Sequence, residues 1–356
     1  GEELALFLPA PAPVPAVVTR APQAAAADVG TLDGVARTLL ERLTHSHRRV
    51  EAWAERSMGS VQVANTRGVL AGYDVTLAGA GVVVESIGAG SAPPLRLFWS
   101  GSSLPTLLDL EQMVTEAERR LGPPPLGPGA LKVAAPPVYL TPRAVATFLR
   151  PVRAALVGYE ALLGRSPFRG KAGEMVLDRK LSIVDDALTP GRPGSRPVDD
   201  DGVPSRRVPV VTEGVLQTCL ADLMVGARAG VPSTGHAWRF PQAPPRVGFT
   251  NLRMAPGPDD EWARLAAART GLLVHDLDWG PGPSPLGGIV TFRAPWCYLI
   301  EAGQVVGRLE GVVLSADVFE VLGEGRVRAV GNDATWVGAQ CLPSLVVDGV
   351  QAAVEG

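Results

Sequence analysis

The residues best suited to chemistry in this chain are few and scattered. Glu160 stands in Tyr159-Glu160-Ala161-Leu162-Leu163-Gly164, at the end of a helical stripe. A carboxylate beside an apolar stripe can serve as an acid or base, or can simply be a solvated helix residue. His236 is one of four histidines and lies in Val231-Pro232-Ser233-Thr234-Gly235-His236-Ala237. There Pro and Gly fix the backbone beside small hydroxyl side chains. A loop imidazole next to Thr234 could work as a base or be structural. His45 and His47 are two residues apart and point in different directions on a helix, a poor metal pair. Asp199-Asp200-Asp201 before Gly202 could offer oxygen ligands to a cation or cap a turn, and Asp185-Asp186 carries the same ambiguity. Cys219, Cys297 and Cys341 have no adjacent His or cation, so the expectation is inert thiols. No phosphate-binding loop, dinucleotide fingerprint, GxSxG or HExxH is present.

The elements that must position these groups read as α+β. Residues 31–48 predict a first helix from Leu32, Val35, Leu39, Leu40 and Leu43. Four β-like runs follow at 50–56, 60–65, 69–77 and 81–86, with a hairpin turn at Asn65-Thr66-Arg67-Gly68. Residues 104–121 predict a second helix. The Gly/Pro run at 122–129 reads as a linker, which places an N-terminal domain at 1–125, with 1–30 a loose lead-in, and a C-terminal domain at 126–356. Each domain is expected to be a mainly antiparallel sheet flanked by helices.

In the second domain a strand is expected at 131–135. Thr141-Pro142 then starts a helix carrying Val145, Phe148, Leu149, Val152, Leu156 and Tyr159 on one stripe, which Pro151 should kink or divide. Strands at 181–184 and 208–212 bracket a Pro-, Gly- and Asp-rich loop over 187–204. A connection of that length is usually functional. Further on, a helix is expected at 259–270, strands at 272–276, 289–294, 296–301, 305–314, 327–330 and 344–347, and a short helix at 315–322.

Whole-chain properties narrow the classes. With 356 residues, 46% hydrophobic and 19% charged, the composition is that of an ordinary soluble protein. A net charge of −3 argues against nucleic acid as a partner, and no run of about 18 apolar residues offers a membrane span. The 41 glycines and 33 prolines disfavour a helical bundle. Three widely spaced cysteines fit a reducing compartment, hence a cytoplasmic location. A first residue of Gly in place of Met fits a processed chain.

An ordered set of motifs resembles the TldD/PmbA (TldE) family, metalloprotease-related subunits once called modulators of DNA gyrase. Leu181-Ser182-Ile183-Val184-Asp185-Asp186 resembles its "vtivDD" strand end. The stretch from Gly194-Ser195-Arg196-Pro197 to Asp200-Asp201-Gly202-Val203-Pro204 resembles its acidic loop, and Thr212-Glu213-Gly214-Val215-Leu216 its "ieGvL" turn. Pro232-Ser233-Thr234-Gly235-His236-Ala237 is similar to "sTGNa", and Thr250-Asn251-Leu252 with Pro256-Gly257 to "pTNLxxxpG". Gly331-Asn332-Asp333 and Pro343-Ser344-Leu345-Val346-Val347-Asp348-Gly349 resemble the closing pieces, and Val63-Ala64-Asn65-Thr66-Arg67-Gly68 an early turn.

The resemblance implies the following. One kind of subunit, TldD, holds zinc through HExxxH and a downstream cysteine, with the glutamate as general base. The TldE/PmbA kind lacks the ligands and pairs with TldD. Here the motif falls on residues 159–164 with Tyr and Gly in the histidine positions, so Glu160 is a remnant of the motif glutamate and no metal ligand remains. Cys341 lies too near the closing strand to be carried over as the cysteine. The expectation is a non-catalytic subunit of a heterodimeric zinc metallopeptidase acting on unfolded peptides or peptide precursors. No cofactor is expected in this chain, and zinc is expected in a TldD-like partner. Ser233, Thr234, Gly235, His236 and Asn251 are the expected substrate or partner contacts. An alternative is a self-assembled peptide-binding module without a peptidase partner. A further one is a metal-independent hydrolase pairing Glu160 with His236. His236 in place of Asn, Trp238, Asp278-Trp279 and the prolines at 281–285 are departures from the family pattern.

Overall fold

The computed structural model describes residues 8–87, 92–127, 129–240, 242, 244–279 and 285–355. The apolar beginning of the lead-in, Pro128 of the linker, Pro241, Ala243 and residues 281–284 of the Pro-rich run lie outside the described residues.

The N-terminal part is one long hairpin with helices on it. Strands β1 (Arg48–Ala64) and β2 (Leu70–Ser86) pair antiparallel over their whole length, from Arg48↔Ser86 to Ala64↔Leu70. The four expected runs are therefore two strands. An unbroken cross-strand ladder carries the two strands through Gly59 and Gly79, in the gaps between the expected runs. The hairpin turn is at Asn65–Gly68 as expected: the Asn65 side chain accepts from the Arg67 and Val69 amides at 2.9 and 3.1 Å. Strand β3 (Leu95–Gly101) adds to β2. Helices Val29–Leu43 and Leu107–Leu121 bury Leu39, Leu43, Leu110, Met113 and Ala117 against Ala80, Val82, Val84, Leu95 and Leu97. The first helix ends at Leu43, not 48, because Arg48 already belongs to β1. The apolar cluster does not stop there. It runs on through Tyr139, Leu273, Trp296, Tyr298 and Val346, so the N-terminal layer is packed onto the sheet that follows.

That sheet is the largest. It comprises β4 (Val138–Leu140), β11 (Gly271–Trp279), β12 (Ile289–Glu301), β13 (Gln304–Leu309), β14 (Val312–Asp317), β15 (Val327–Val330), β18 (Leu345–Val347) and β19 (Gln351–Val354). Its order is β15-β18-β4-β11-β12-β14-β19, with β13 also on β12. Only β4 and β11 run parallel. A second sheet has the order β16-β17-β10-β5-β6-β7, from β5 (Ile183–Asp186), β6 (Arg207–Thr212), β7 (Val215–Leu216), β10 (Leu252–Met254), β16 (Thr335–Val337) and β17 (Gln340–Leu342). A small ribbon pairs β8 (Ala237–Trp238) with β9 (Arg246–Val247). The α+β class with mainly antiparallel sheets is what the sequence implied.

The helical stripe is divided, as Pro151 requires. It forms Pro142–Phe148, Arg150–Ala155 and Gly158–Leu162. Pro151 falls in the first turn of the middle piece, where its missing N–H costs nothing. Phe148, Leu149, Val152 and Leu156 are fully buried between Val274, Phe292 and Leu314 of the large sheet and Ile183, Val210 and Leu252 of the second. Each such side chain contributes about 1.5–3 kcal/mol of burial. This fixes where Glu160 projects.

Other expectations change. The strand placed at 131–135 is irregular, and the true strand is β4. The run 289–301 is one strand through Pro295, and 305–314 divides at Gly311, whose φ is +66°. The short helix is only Val318–Val321, because 315–317 completes β14. The helix Leu223–Ala229 was not anticipated. Asp222 caps it by accepting from Val225 N at 2.7 Å, and Gly230 ends it at φ +69°. Among the described residues no helix is long and apolar enough to cross a membrane.

Candidate functional site

Glu160 lies on the wall of a cleft of about 550 Å³. Val157 and Tyr159 stand beside it. Asp222, Met224 and Val225 from the neighbouring helix and Pro244–Val247 form the opposite side. The two walls are tied where Gly158 N donates to Leu220 O at 2.8 Å, and a Cβ on Gly158 would come within 2.6 Å of that oxygen. The cleft is mostly apolar, with Glu160, Asp222 and Arg246 as its charged groups. Burial holds the Asp222 carboxyl above the usual range, against the hydrogen bond from Val225. Strand β9 supplies Arg246 and Val247, and among the described residues it pairs on one side only, with β8.

The Glu160 carboxylate is already engaged. Arg165 donates to it twice, Nε to Oε2 at 2.6 Å and Nη2 to Oε1 at 2.9 Å. Tyr159 is 40% exposed. Gly164 sits at φ +72°, a left-handed position that disfavours any side chain. Cys341 lines a separate groove of about 560 Å³ on the second sheet, with Arg253 and Arg207. Burial pushes its thiol up, against the pull of Arg253 and Arg192. The donor set a tetrahedral zinc site needs is therefore not assembled around Glu160: the flanking positions offer a phenol and a hydrogen, and the thiol lines another groove. Among the described residues no group of three or more His, Cys, Asp or Glu side chains could hold a metal ion.

The loop with His236 is interior. His236 Nε2 lies 2.8 Å from Asp185 Oδ2, and Nδ1 lies 2.8 Å from Thr234 Oγ1. A carboxylate accepts, so Nε2 is the donor to Asp185. Asp185 also accepts from the Thr250 amide at 3.0 Å and from the Thr250 hydroxyl. Thr234 accepts from Ala221 N at 2.7 Å. A hydroxyl, imidazole and carboxylate in a row could suggest a nucleophile. Here Thr234, His236 and Asp185 are 6%, 1% and 0% exposed, so the row locks the loop and meets no substrate. The structure does not bring Glu160 and His236 together. Asn251 is also fully buried: its side chain accepts from Gly194 N at 3.0 Å and donates to Asp186 O and Ser195 Oγ at 3.1 Å. Gly235 is buried as well, so of the five contact candidates only Ser233 is partly open.

The acidic triple is turn and clasp. Asp199 is buried and accepts from Asp201 N at 3.0 Å, Val203 N at 2.8 Å and Ala237 N at 3.0 Å. Asp200 accepts from Arg239 N at 2.7 Å, and Asp201 holds the Arg239 guanidinium at 2.6 Å. The cleft residues that sequence reasoning missed are Asp222, Met224 and Arg246. Asp222 and Gly230 have the residue types of a helix start and stop, a signal the sequence reading passed over, and nothing local ties either to Glu160.

The family of PmbA/TldA metallopeptidase C-terminal domains matches residues 134–354. The chain belongs to this family. A metalloprotease TldD homolog of Haemophilus influenzae is 32% identical over 158 residues, 44% of this chain and 33% of that protein. A metalloprotease of Methanocaldococcus jannaschii is 28% identical over 168 residues, 47% of this chain and 37% of its own length. Against these curated PmbA/TldD relatives the match thus spans about a third of their length. The fold is shared with TldE from Thermococcus kodakarensis, at a TM-score of 0.85 and 20% identity, covering 97% of this chain and 79% of that one. A putative modulator of DNA gyrase from Thermotoga maritima gives 0.84 and 21%, with the same coverage.

Proposed function

We propose that this PmbA/TldD-family chain is a non-catalytic, TldE-like subunit that pairs with a zinc-bearing TldD-like subunit and helps present unfolded peptides or peptide precursors to that partner's metal. The observation that carries this reading is the state of Glu160. It stands where the metallopeptidase motif has its base, but Arg165 occupies its carboxylate and neither flanking position carries an imidazole. A carboxylate without a metal-bound water has nothing to activate in this chemistry.

The cleft supports a peptide-handling role. Its apolar walls accept side chains, and the free edge of β9 offers backbone donors and acceptors for strand addition, which is tolerant of sequence. Three free cysteines suit a cytoplasmic setting. Co-expression with a TldD-like chain tests the reading. The expected result is a stable mixed dimer. A homodimer that ignores the co-expressed TldD-like chain contradicts it and favours the self-assembled module.

A further inference from the structure

Next to the cleft residue Val157, the helix Arg150–Ala155 carries two arginines whose guanidinia lie against aromatic rings. Arg153 is 5.7 Å from the centre of Phe249, and Arg150 is 4.7 Å from that of Trp279. Phe249 follows Val247, which lines the opposite wall, by two residues.

Arg153 is half-buried and differs from the fully buried arginines. Arg120 holds Glu116 and Asp276, Arg196 donates to Ala237 O, and Arg264 donates to the Tyr139 hydroxyl. The Arg153 Nε is shielded from solvent and has no partner. Among the described residues neither Arg153 nor Arg150 has an ion pair or a hydrogen bond to a protein acceptor. Asp185 is the carboxylate whose field reaches Arg153, and its oxygens are taken by His236 and Thr250. Burial lowers the Arg153 pKa, and Arg150 adds to the effect.

A half-buried guanidinium whose shielded Nε has no acceptor gains from an anion that supplies the missing hydrogen bond while its open nitrogens remain reachable. Contact with a ring braces the stem and leaves the guanidinium fork available. A carboxylate matches that fork with two parallel bonds.

We propose that Arg153, assisted by Arg150, is a carboxylate receptor on the helix that leads into the cleft wall, and that its ligand is a peptide carboxylate. This deepens the peptide-handling reading but does not depend on the zinc-bearing partner. The carboxylate could be a peptide C-terminus or an Asp or Glu side chain, and the test separates the two.

The full chain is titrated, by fluorescence anisotropy, against an N-terminally labelled Ala/Ser peptide in three forms: free acid, C-terminal amide, and amide with an internal Asp. The expected result is about tenfold tighter binding of a carboxylate-bearing form than of the plain amide, equivalent to about 1.4 kcal/mol. Arg153→Met is expected to remove the difference and Arg153→Lys to keep part of it. Preference for the free acid alone assigns the C-terminus, and equal preference for the Asp form assigns the side chain; both support the receptor. Equal affinity for all three forms in the wild type, absence of binding, or a preference that survives Arg153→Met overturns it. Thermal melts of each variant report folding, and Arg153→Gln replaces Arg153→Met if the latter does not melt cooperatively. Association with a TldD-like chain is measured in parallel. A wild type that associates but shows no carboxylate preference overturns the receptor alone and leaves the two-subunit reading standing.

Discussion

Arg165 clasps Glu160 through two parallel hydrogen bonds of 2.6 and 2.9 Å, closing the carboxylate that a metallopeptidase would keep free. Residue type and geometry agree here. On the proposed non-catalytic reading, Tyr159 and Gly164 stand where the metal ligands would be, and Arg165 pairs with the carboxylate that would be the base.

Restoring the ligands on paper is therefore not expected to restore the metal. In Tyr159→His with Gly164→His, the second imidazole must sit at φ +72°, which costs about 1–2 kcal/mol, and the thiol still lines another groove. The double variant is expected to bind no stoichiometric zinc by elemental analysis. One zinc per chain would show that the site is closer to assembly than its geometry indicates.

Breaking the Glu160–Arg165 pair costs little. The side chains are 22% and 54% exposed, so solvent screens the interaction. Glu160→Gln is expected to change unfolding free energy by less than about 1 kcal/mol in urea titration. A loss of several kcal/mol contradicts that weight.

Asp185 is the opposite case. It is fully buried and accepts from His236, the Thr250 amide and the Thr250 hydroxyl. Asp185→Ala strips an acceptor from each and is expected to cost about 3–5 kcal/mol by the same titration. A loss below about 1 kcal/mol would show that the loop is held by other contacts.

Acid should loosen the contact between the N-terminal layer and the large sheet. His275, Arg120 and Glu116 meet there, with His275 and Arg120 holding the Glu116 carboxyl down at about 2 although burial alone would raise it. A depressed carboxylate stabilises the fold above its unfolded pKa, and that stability is lost as pH falls from about 4.5 towards 2. Burial also depresses His275 from its ordinary 6.5, so the unfolded chain takes up that proton first and stability begins to fall below about 6.5. Both effects have the same sign. Thermal melts against pH should fall in these two windows, and Glu116→Gln should flatten the lower one. A lower limb unchanged in that variant contradicts the assignment.

What the sequence disclosed followed the range of the interactions. The turn at Asn65–Gly68, the division at Pro151 and the Asp199 turn were legible because each depends on neighbours within a few residues. Strand β10 was not legible, since its three residues are a strand only through β5 and β17, both far along the chain, whereas the short β16–β17 hairpin, turning at Gly338 with φ +60°, was a local signal left unread. The interior position of His236 was hidden for the same reason: its partner Asp185 is 51 residues away. Among the contact candidates, burial leaves Ser233 alone partly open. The cleft joins segments around 157, 222 and 246, and no local motif announces that meeting.

Zinc content and peptide cleavage, measured for this chain alone, for a TldD-like chain alone and for their mixture, test the central claim most directly. The account predicts no stoichiometric zinc and no cleavage in this chain alone, with zinc in the partner and full activity in the mixture. One zinc per molecule and peptide cleavage by this chain alone would contradict it.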